Sequence, residues 1–240
     1  MPVAKPVYRS LGPEMSRGEQ IGGLIYLPLY VIFVPLWLEL IGSLLGNTIG
    51  LQISTLQINI CYFVINAVVI CVVFRRFLCS SFRAIRFWIL IQALILGFVL
   101  DYAGNFLVNW IFGVLKLDVS NFNDSTVYSL AEENPPVMIF CAVVLAPLVE
   151  ETLVRGVIFG TIHRKNRYVA YAVSTIFFAG IHIWQYLFVQ EPGTVLLSGL
   201  QYIPAGIALG WTYEKAETIW GNILLHMLLN AFAFGLANFL

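Results

Sequence analysis

Long apolar stretches separated by short polar segments dominate the chain. They lie near residues 21–45, 57–74, 87–115, 137–162, 168–189, 194–213 and 218–238. A helix needs about 20 mostly apolar residues to cross a bilayer, so each stretch predicts one span. The third stretch is too long for one straight crossing, so it tilts or breaks near Gly104. The pattern predicts an all-α, polytopic transmembrane bundle of about seven spans, with eight as the alternative.

Composition supports the bilayer as the solvent of this protein. The 240 residues are 60% hydrophobic and 11% charged, with a mean hydropathy of +0.85. A soluble domain carries about 25% charged residues. We therefore expect a cytoplasmic N-terminal segment at 1–20 and a single transmembrane domain at 21–240. The first apolar run is longer than a signal core and lacks a cleavage pattern, so it is expected to remain as a span.

The distribution of positive charge predicts the orientation. With the N-terminus inside, the loops on the inner side carry eleven of the 13 Lys and Arg residues: Lys5, Arg9, Arg17, Arg75, Arg76, Arg83, Arg86, Arg164, Lys165, Arg167 and Lys215. Cytoplasmic loops are enriched in Lys and Arg. We therefore expect the N-terminus in the cytoplasm and the C-terminus outside, in the plasma membrane of a bacterium or archaeon.

The fourth span contains three charged residues, Glu150, Glu151 and Arg155. Each costs roughly 2.5–3.5 kcal/mol at the centre of a bilayer, so they are functional candidates. Glu151 and Arg155 are four residues apart and can pair on one face of a helix. Glu150 points about 100° away. Pro147 removes one helix hydrogen bond, which favours a kink and a free carbonyl beside the carboxylates.

Two later spans contain polar residues at a similar depth. His182 lies in the fifth span, and His226 and Asn230 share a face of the seventh. Such residues often only form hydrogen bonds between helices. Because they lie at a level near that of Glu150, they could instead converge on one cavity. We expect Glu39 at the interface, a structural role for Asp101, and a solvated His163 in the basic inner loop.

A carboxylate and an imidazole at one depth can activate water together, with the carboxylate accepting the proton. A second histidine and an asparagine can donate hydrogen bonds to a developing oxyanion. This set of side chains suits hydrolysis of an amide within the membrane.

Three motifs then carry a family resemblance. They occur in order on separate spans: Glu150-Glu151-x-x-x-Arg155, Phe178-x-x-x-His182 and His226-x-x-x-Asn230. The chain resembles the CPBP family, the type II CAAX prenyl endopeptidase and bacteriocin-processing group, also called ABI. The resemblance covers about 137–238.

The resemblance implies an intramembrane endopeptidase with Glu150 as general base and His182 holding the water. It assigns His226 and Asn230 to an oxyanion hole and lets Glu151 and Arg155 order the site. Phe178 would pack the His182 helix, and the cavity would open to the cytoplasm. The implied partners are the lipid bilayer and a peptide or protein substrate, with a lipidated C-terminal tail as one candidate. No nucleic acid and no cofactor are expected.

Three other functions remain as alternatives. One Glu and two His could ligate zinc, although an HExxH motif is absent and the histidines lie on different helices. Charged residues around a midplane cavity also mark transporters. A non-catalytic scaffold or immunity protein is the third alternative.

Overall fold

The computed structural model describes residues 10–235, and the regular elements within that range are all helices. The main helices are α1 (Arg17–Ile49), α2 (Thr55–Val73), α3 (Arg75–Arg83), α4 (Phe87–Leu115), α5 (Phe122–Glu133), α6 (Pro135–His163), α7 (Arg167–Ile183), α8 (Pro192–Ala216) and α9 (Ile219–Ala233). A short 3-10 helix, Trp184–Phe188, follows α7.

The predicted polytopic helical bundle is confirmed. Of the helices in residues 10–235, five are long and apolar enough to cross a membrane: α1, α2, α4, α6 and α8. The two remaining predicted spans coincide with α7 and α9, which are shorter at 17 and 15 residues. The end of the last predicted span, 236–238, lies outside the described residues. The short helices α3 and α5 lie between predicted spans.

Glycines allow helices to pack closely in this structure, and they do not break α4. α4 runs unbroken through Gly104, where a Cβ would lie 2.8 Å from the Cβ of Pro204 on α8. Gly104 therefore lets the two helices approach, and the predicted break is wrong. A Cβ at Gly206 would similarly lie 2.6 Å from a side-chain atom of Thr175 on α7. Small residues allow helices to pack closely in membranes.

A proline leaves one carbonyl of α6 without its helical partner. Residues Cys141–Leu145 form a π-helix, in which the Ala146 N–H donates to the carbonyl of Cys141, five residues earlier. The next acceptor in this register is Ala142, and the next donor position is Pro147, which has no N–H. The free carbonyl predicted beside Pro147 therefore belongs to Ala142.

The same arrangement occurs in α1. Residues Leu29–Phe33 are a π-helix in which the Val34 N–H donates to the Leu29 carbonyl, and Pro35 follows. The unmatched acceptor is the carbonyl of Tyr30, and the hydroxyl of Tyr62 on α2 donates to it at 3.4 Å. Side chains from neighbouring helices thus reach the carbonyls that both prolines leave free, as membrane helices with prolines require.

The basic segments of residues 10–235 gather at one end of the bundle. Arg164 pairs with Glu14 at 3.1 Å. The indole N–H of Trp220 donates to the carbonyl of Leu78, so α9 begins beside α3. The predicted arrangement of inner loops at a common end therefore matches the contacts between them.

His163 is buried at this end, and the prediction that it is solvated is wrong. It is 2% exposed, and its Nε2 lies 2.7 Å from Oε1 of Glu214 on α8. Arg167 and Tyr171 also donate to that carboxylate, at 2.6 Å and 3.0 Å. The sequence analysis overlooked Glu214 because its partners lie 43 to 51 residues away along the chain. The cluster joins α6, α7 and α8.

Candidate active site

A cavity of about 500 Å³ opens between α1, α2, α5, α6, α7 and α9. Its lining includes the four side chains that the sequence places at one depth: Glu150, His182, His226 and Asn230. The structure therefore brings these residues together on one wall. The first two spans supply Tyr30 and Tyr62 to the lining as well.

Glu150 and His182 face one another across a gap. Oε2 of Glu150 lies 3.6 Å from Nε2 of His182, which is too long for a direct hydrogen bond. The other ring nitrogen, Nδ1, lies 2.7 Å from the carbonyl of Phe178 and donates to it. A neutral His182 therefore presents a lone pair at Nε2. Oε2 of Glu150 is buried and has no hydrogen-bond partner within residues 10–235. One water molecule can donate to both acceptors.

Both carboxylate oxygens of Glu151 have hydrogen-bond partners. It is fully buried, and it accepts hydrogen bonds from Arg155 at 2.9 Å and from Asn222 at 2.6 Å. Nδ1 of His226 lies 2.9 Å from its Oε1. The pairing predicted from the spacing of Glu151 and Arg155 is present. The two glutamates thus have opposite surroundings, although they are adjacent in sequence. A second π-helix within α6, Thr152–Phe159, begins directly after them.

His226 and Asn230 are each fixed by one hydrogen bond from the side chain. With Nδ1 donating to Glu151, the free nitrogen of His226 is Nε2, which donates a hydrogen bond when the ring is protonated. Nδ2 of Asn230 donates one hydrogen to the Ala142 carbonyl at 2.8 Å. An amide nitrogen carries two hydrogens, so a second one is left for a ligand in the cavity.

Phe178 lies between the charged residues and both histidines. The guanidinium of Arg155 sits 4.3 Å from the centre of its ring. The Phe178 ring centroid is 4.7 Å from that of His182 and 5.5 Å from that of His226. Arg155 also donates to the carbonyl of Gly206 at 3.2 Å. The expectation that Phe178 packs the His182 helix describes only part of these contacts.

Sequence reasoning overlooked Asn222, although a signal for it exists. Asn222 lies four residues before His226 on α9, so both side chains share one face with Asn230. The amide of Asn222 binds Glu151 from that face. Tyr30 and Tyr62 offered no comparable signal, because aromatic residues are ordinary in apolar spans.

The cavity opens at the end of the bundle opposite the basic loops. Its outer lining comes from the start of α2, from α5 and from the segment after α7, as Thr55, Asp124 and Tyr186 show. The basic segments lie at the other end of these helices. A cytoplasmic opening and cytoplasmic basic loops are therefore incompatible, so the two expectations cannot both hold.

Two other carboxylates lie in predicted spans, Glu39 and Asp101, and only Glu39 lines the cavity. Glu39 is exposed and lines the mouth of the cavity. Asp101 is 5% exposed and lies on α4, away from the cavity lining, and its Oδ1 has no hydrogen-bond partner within residues 10–235.

The zinc alternative needs Glu150 and two histidines as ligands. A catalytic zinc ion takes three protein ligands. Across the part of the chain that the structure describes, no group of three His, Cys, Asp or Glu is arranged to hold a metal ion.

Comparison with known proteins relates this region to a family. Residues 132–232 match the family described as Type II CAAX prenyl endopeptidase Rce1-like. The match covers less than half of the chain, and this segment is similar to that family. It contains every predicted site residue from Pro147 to Asn230, so the resemblance predicted from the three motifs is confirmed. Helices α1 and α2, which carry Tyr30 and Tyr62, lie outside the match.

One curated relative also aligns with part of the chain. It is named "Putative membrane peptidase YdiL", from Bacillus subtilis (strain 168), and is 28% identical over 98 residues. The aligned region covers 40% of this chain and 36% of the relative, so the chain spans about a third of that protein's length. No solved structure matches this chain.

Proposed function

We propose that the protein is a membrane-embedded endopeptidase in which Glu150 and His182 activate a water molecule. The observation that carries this proposal is the 3.6 Å gap between Oε2 of Glu150 and Nε2 of His182. Both atoms are acceptors, and both residues line one cavity. A water held there donates one hydrogen to each, which aims an oxygen lone pair into the cavity.

The proposed reaction begins when Glu150 takes a proton from this water. The water oxygen attacks the carbonyl carbon of the scissile peptide bond, and the negative charge moves to the carbonyl oxygen. The free hydrogen of Asn230 Nδ2 and a protonated Nε2 of His226 would stabilise that oxyanion. Glu150 then gives its proton to the leaving amine as the C–N bond breaks. Glu151, held by three partners, orients His226 and stays out of the proton transfer.

Substitution in a cleavage assay tests the roles. In purified protein incubated with a peptide library, Glu150→Gln and His182→Ala should each lower kcat by at least about 10²-fold, since positioned acid–base groups contribute 10²–10⁴-fold. Glu132→Gln is the matched control, because Glu132 is exposed and lies outside the cavity lining. Equal cleavage by all variants would overturn the proposal. A parent protein that cleaves nothing would favour the scaffold or transporter class.

We propose that the reaction needs no metal ion. Among the described residues, no group of three His, Cys, Asp or Glu is arranged to hold a metal ion, which supports this part of the proposal. Cleavage should therefore persist after dialysis against a strong chelator, with less than stoichiometric zinc by elemental analysis. Stoichiometric zinc together with activity that chelation abolishes and zinc restores would contradict this part of the proposal.

We also propose a peptide or protein substrate that reaches the site through the open end of the cavity. The family match supports a peptide bond as the target. A preference for a lipidated C-terminal tail can be tested with one peptide in two forms. The test is the ratio of kcat/KM for the prenylated peptide to kcat/KM for the same peptide without the lipid. A ratio near one would remove the lipidated tail from the proposal.

A further inference from the structure

Tyr202 lies at a break in the middle of α8. Residues Leu200–Tyr202 form a 3-10 turn, and α-helix resumes at Ile203 with Pro204 in its first turn. A 3-10 turn within a longer helix often marks a functional position. Proline is tolerated there because the first N–H groups of a helix lack an internal partner. The break turns the Tyr202 ring toward the end of α7.

The ring of Tyr202 stacks on the ring of His182. Their centroids are 4.4 Å apart, and the ring planes are inclined by only 26°. Tyr202 is 9% exposed, so its ring is held in the interior. Phe178 closes the same region, with its ring centroid 6.4 Å from that of Tyr202.

The hydroxyl of Tyr202 is anchored at the other end of the side chain. It donates to Oδ1 of Asn121 at 2.8 Å, and Oδ1 of Asp124 lies 3.3 Å away. Both partners belong to the start of α5, which lies outside the long spans. The tyrosine thus connects the histidine of the site to a helix at the mouth of the cavity.

Besides Tyr202, the ring of Phe178 contacts His182, with its centroid 4.7 Å from that of the imidazole. Within residues 10–235, the hydrogen bond of His182 to protein is the donation from Nδ1 to the Phe178 carbonyl, which fixes the tautomer but still allows the ring to tilt. It also lies in the last turn of α7, which ends at Ile183. A stacked ring that is itself pinned by its hydroxyl would limit the tilt and hold Nε2 toward Glu150.

We propose that Tyr202 is a positioning residue for His182 and that Asn121 and Asp124 hold it in place. This inference rests on the proposed function, in which His182 Nε2 holds the attacking water. Tyr202 touches no reacting atom. It acts by keeping the imidazole in the orientation that leaves room for one water beside Glu150.

Two substitutions separate the ring from the hydroxyl. Tyr202→Leu removes the stacking and should lower kcat by about 100-fold with KM within twofold, because misplacement of a catalytic group by about 1 Å can cost 10²-fold. Tyr202→Phe keeps the ring and should lose less than about 10-fold. Tyr213→Phe is the control, since Tyr213 is a buried tyrosine of the same helix that lies outside the cavity lining.

A spectroscopic measurement tests the stacking without activity. The ring protons of His182, assigned by comparison with His182→Ala, should show an aromatic ring-current shift in the parent protein and in Tyr202→Phe. In Tyr202→Leu the part of the shift that comes from Tyr202 should disappear, while the Phe178 ring, whose centroid is 4.7 Å from that of His182, keeps its own contribution. Thermal unfolding of each variant identifies a loss of activity that comes from misfolding. If Tyr202→Leu does not fold, the ring protons of His182 in the parent protein still test the stacking, because a shift no larger than the Phe178 ring alone causes would overturn the inference.

The outcomes also separate this inference from the proposed function. If Tyr202→Leu loses the Tyr202 part of the ring-current shift but keeps the parent kcat, while Glu150→Gln is inactive, the positioning role is wrong and the proposed function stands. An unchanged ring-current shift in Tyr202→Leu also overturns the inference. If Glu150→Gln retains full activity, the proposed function fails whatever Tyr202 does.

Discussion

Asn230 donates its side-chain amide to the carbonyl of Ala142, the acceptor that Pro147 leaves without a backbone donor. Two features that the sequence analysis treated separately, the kink and the seventh-span asparagine, therefore form one unit. The proline creates the acceptor, and the acceptor fixes the asparagine. The proposed oxyanion donor on α9 is consequently positioned by the distortion of α6 just before the glutamate pair.

Pro147→Ala should make the protein more stable and less active. Alanine restores an N–H that can bond to the Ala142 carbonyl, and proline inside a helix costs about 3 kcal/mol. The new N–H would compete with Asn230 and release its side chain. We expect a higher melting temperature and a kcat reduced by about 10-fold, measured on the same preparation, as in other trade-offs between stability and activity.

Pro135→Ala is the matched control for this substitution. Pro135 begins α6 and is exposed, and it occupies a position where a missing N–H has little effect. Pro135→Ala should change neither the melting temperature nor kcat appreciably. A Pro147→Ala protein that keeps its kcat would show that the bond between Asn230 and Ala142 does not matter for turnover.

The two adjacent glutamates should respond differently to the same change. Glu151→Gln leaves the fully buried guanidinium of Arg155 without its carboxylate, and breaking a buried ion pair costs about 3–5 kcal/mol. Glu150→Gln removes a carboxylate whose Oε2 has no partner within residues 10–235, so stability should be kept while cleavage is lost. Chemical unfolding in detergent measures the stability of each variant, and the cleavage assay measures its activity. Equal destabilisation by the two substitutions would contradict this division of roles.

The sequence was sufficient for the helices and for the contacts that follow from helix periodicity. Apolar runs predicted the spans, and a four-residue spacing predicted the contact between Glu151 and Arg155 and could have predicted Asn222. It was not sufficient where a contact joins distant segments. His163 looked solvated because its partner Glu214 lies 51 residues later. The family resemblance implied the cytoplasmic opening. Hydropathy gives the depth of a residue but not the end at which a cavity opens, so it could not reveal the conflict between that opening and the charge pattern.

Asp124 should make stability depend on pH. Burial raises the pKa of the Asp124 carboxyl above its ordinary value of 3.8, so the folded protein binds this proton more tightly than the unfolded chain does. The resulting stabilisation is complete below pH 3.8 and is lost as the pH rises through the raised pKa. Asp124→Asn cannot ionise and lacks this loss.

Melting temperatures of the parent and of Asp124→Asn, compared at a series of pH values, test this expectation. The parent should become less stable relative to the variant as the pH rises from about 4 to about 7. Asp118→Asn serves as the control, because Asp118 is an exposed aspartate at the same end of the bundle. A constant difference between parent and Asp124→Asn across the series would show that Asp124 does not titrate differently in the folded protein.

Labelling of single cysteines decides which side of the membrane the cavity faces. The excess of Lys and Arg at the opposite end predicts that this end is cytoplasmic, so the mouth of the cavity should face outside. With the four native cysteines replaced, Glu132→Cys should react with a membrane-impermeant maleimide on intact cells, since Glu132 is exposed near the mouth. Lys165→Cys, exposed at the basic end, should react only after the membrane is opened. The reverse pattern would place the cavity mouth in the cytoplasm and would make this chain an exception to the charge rule.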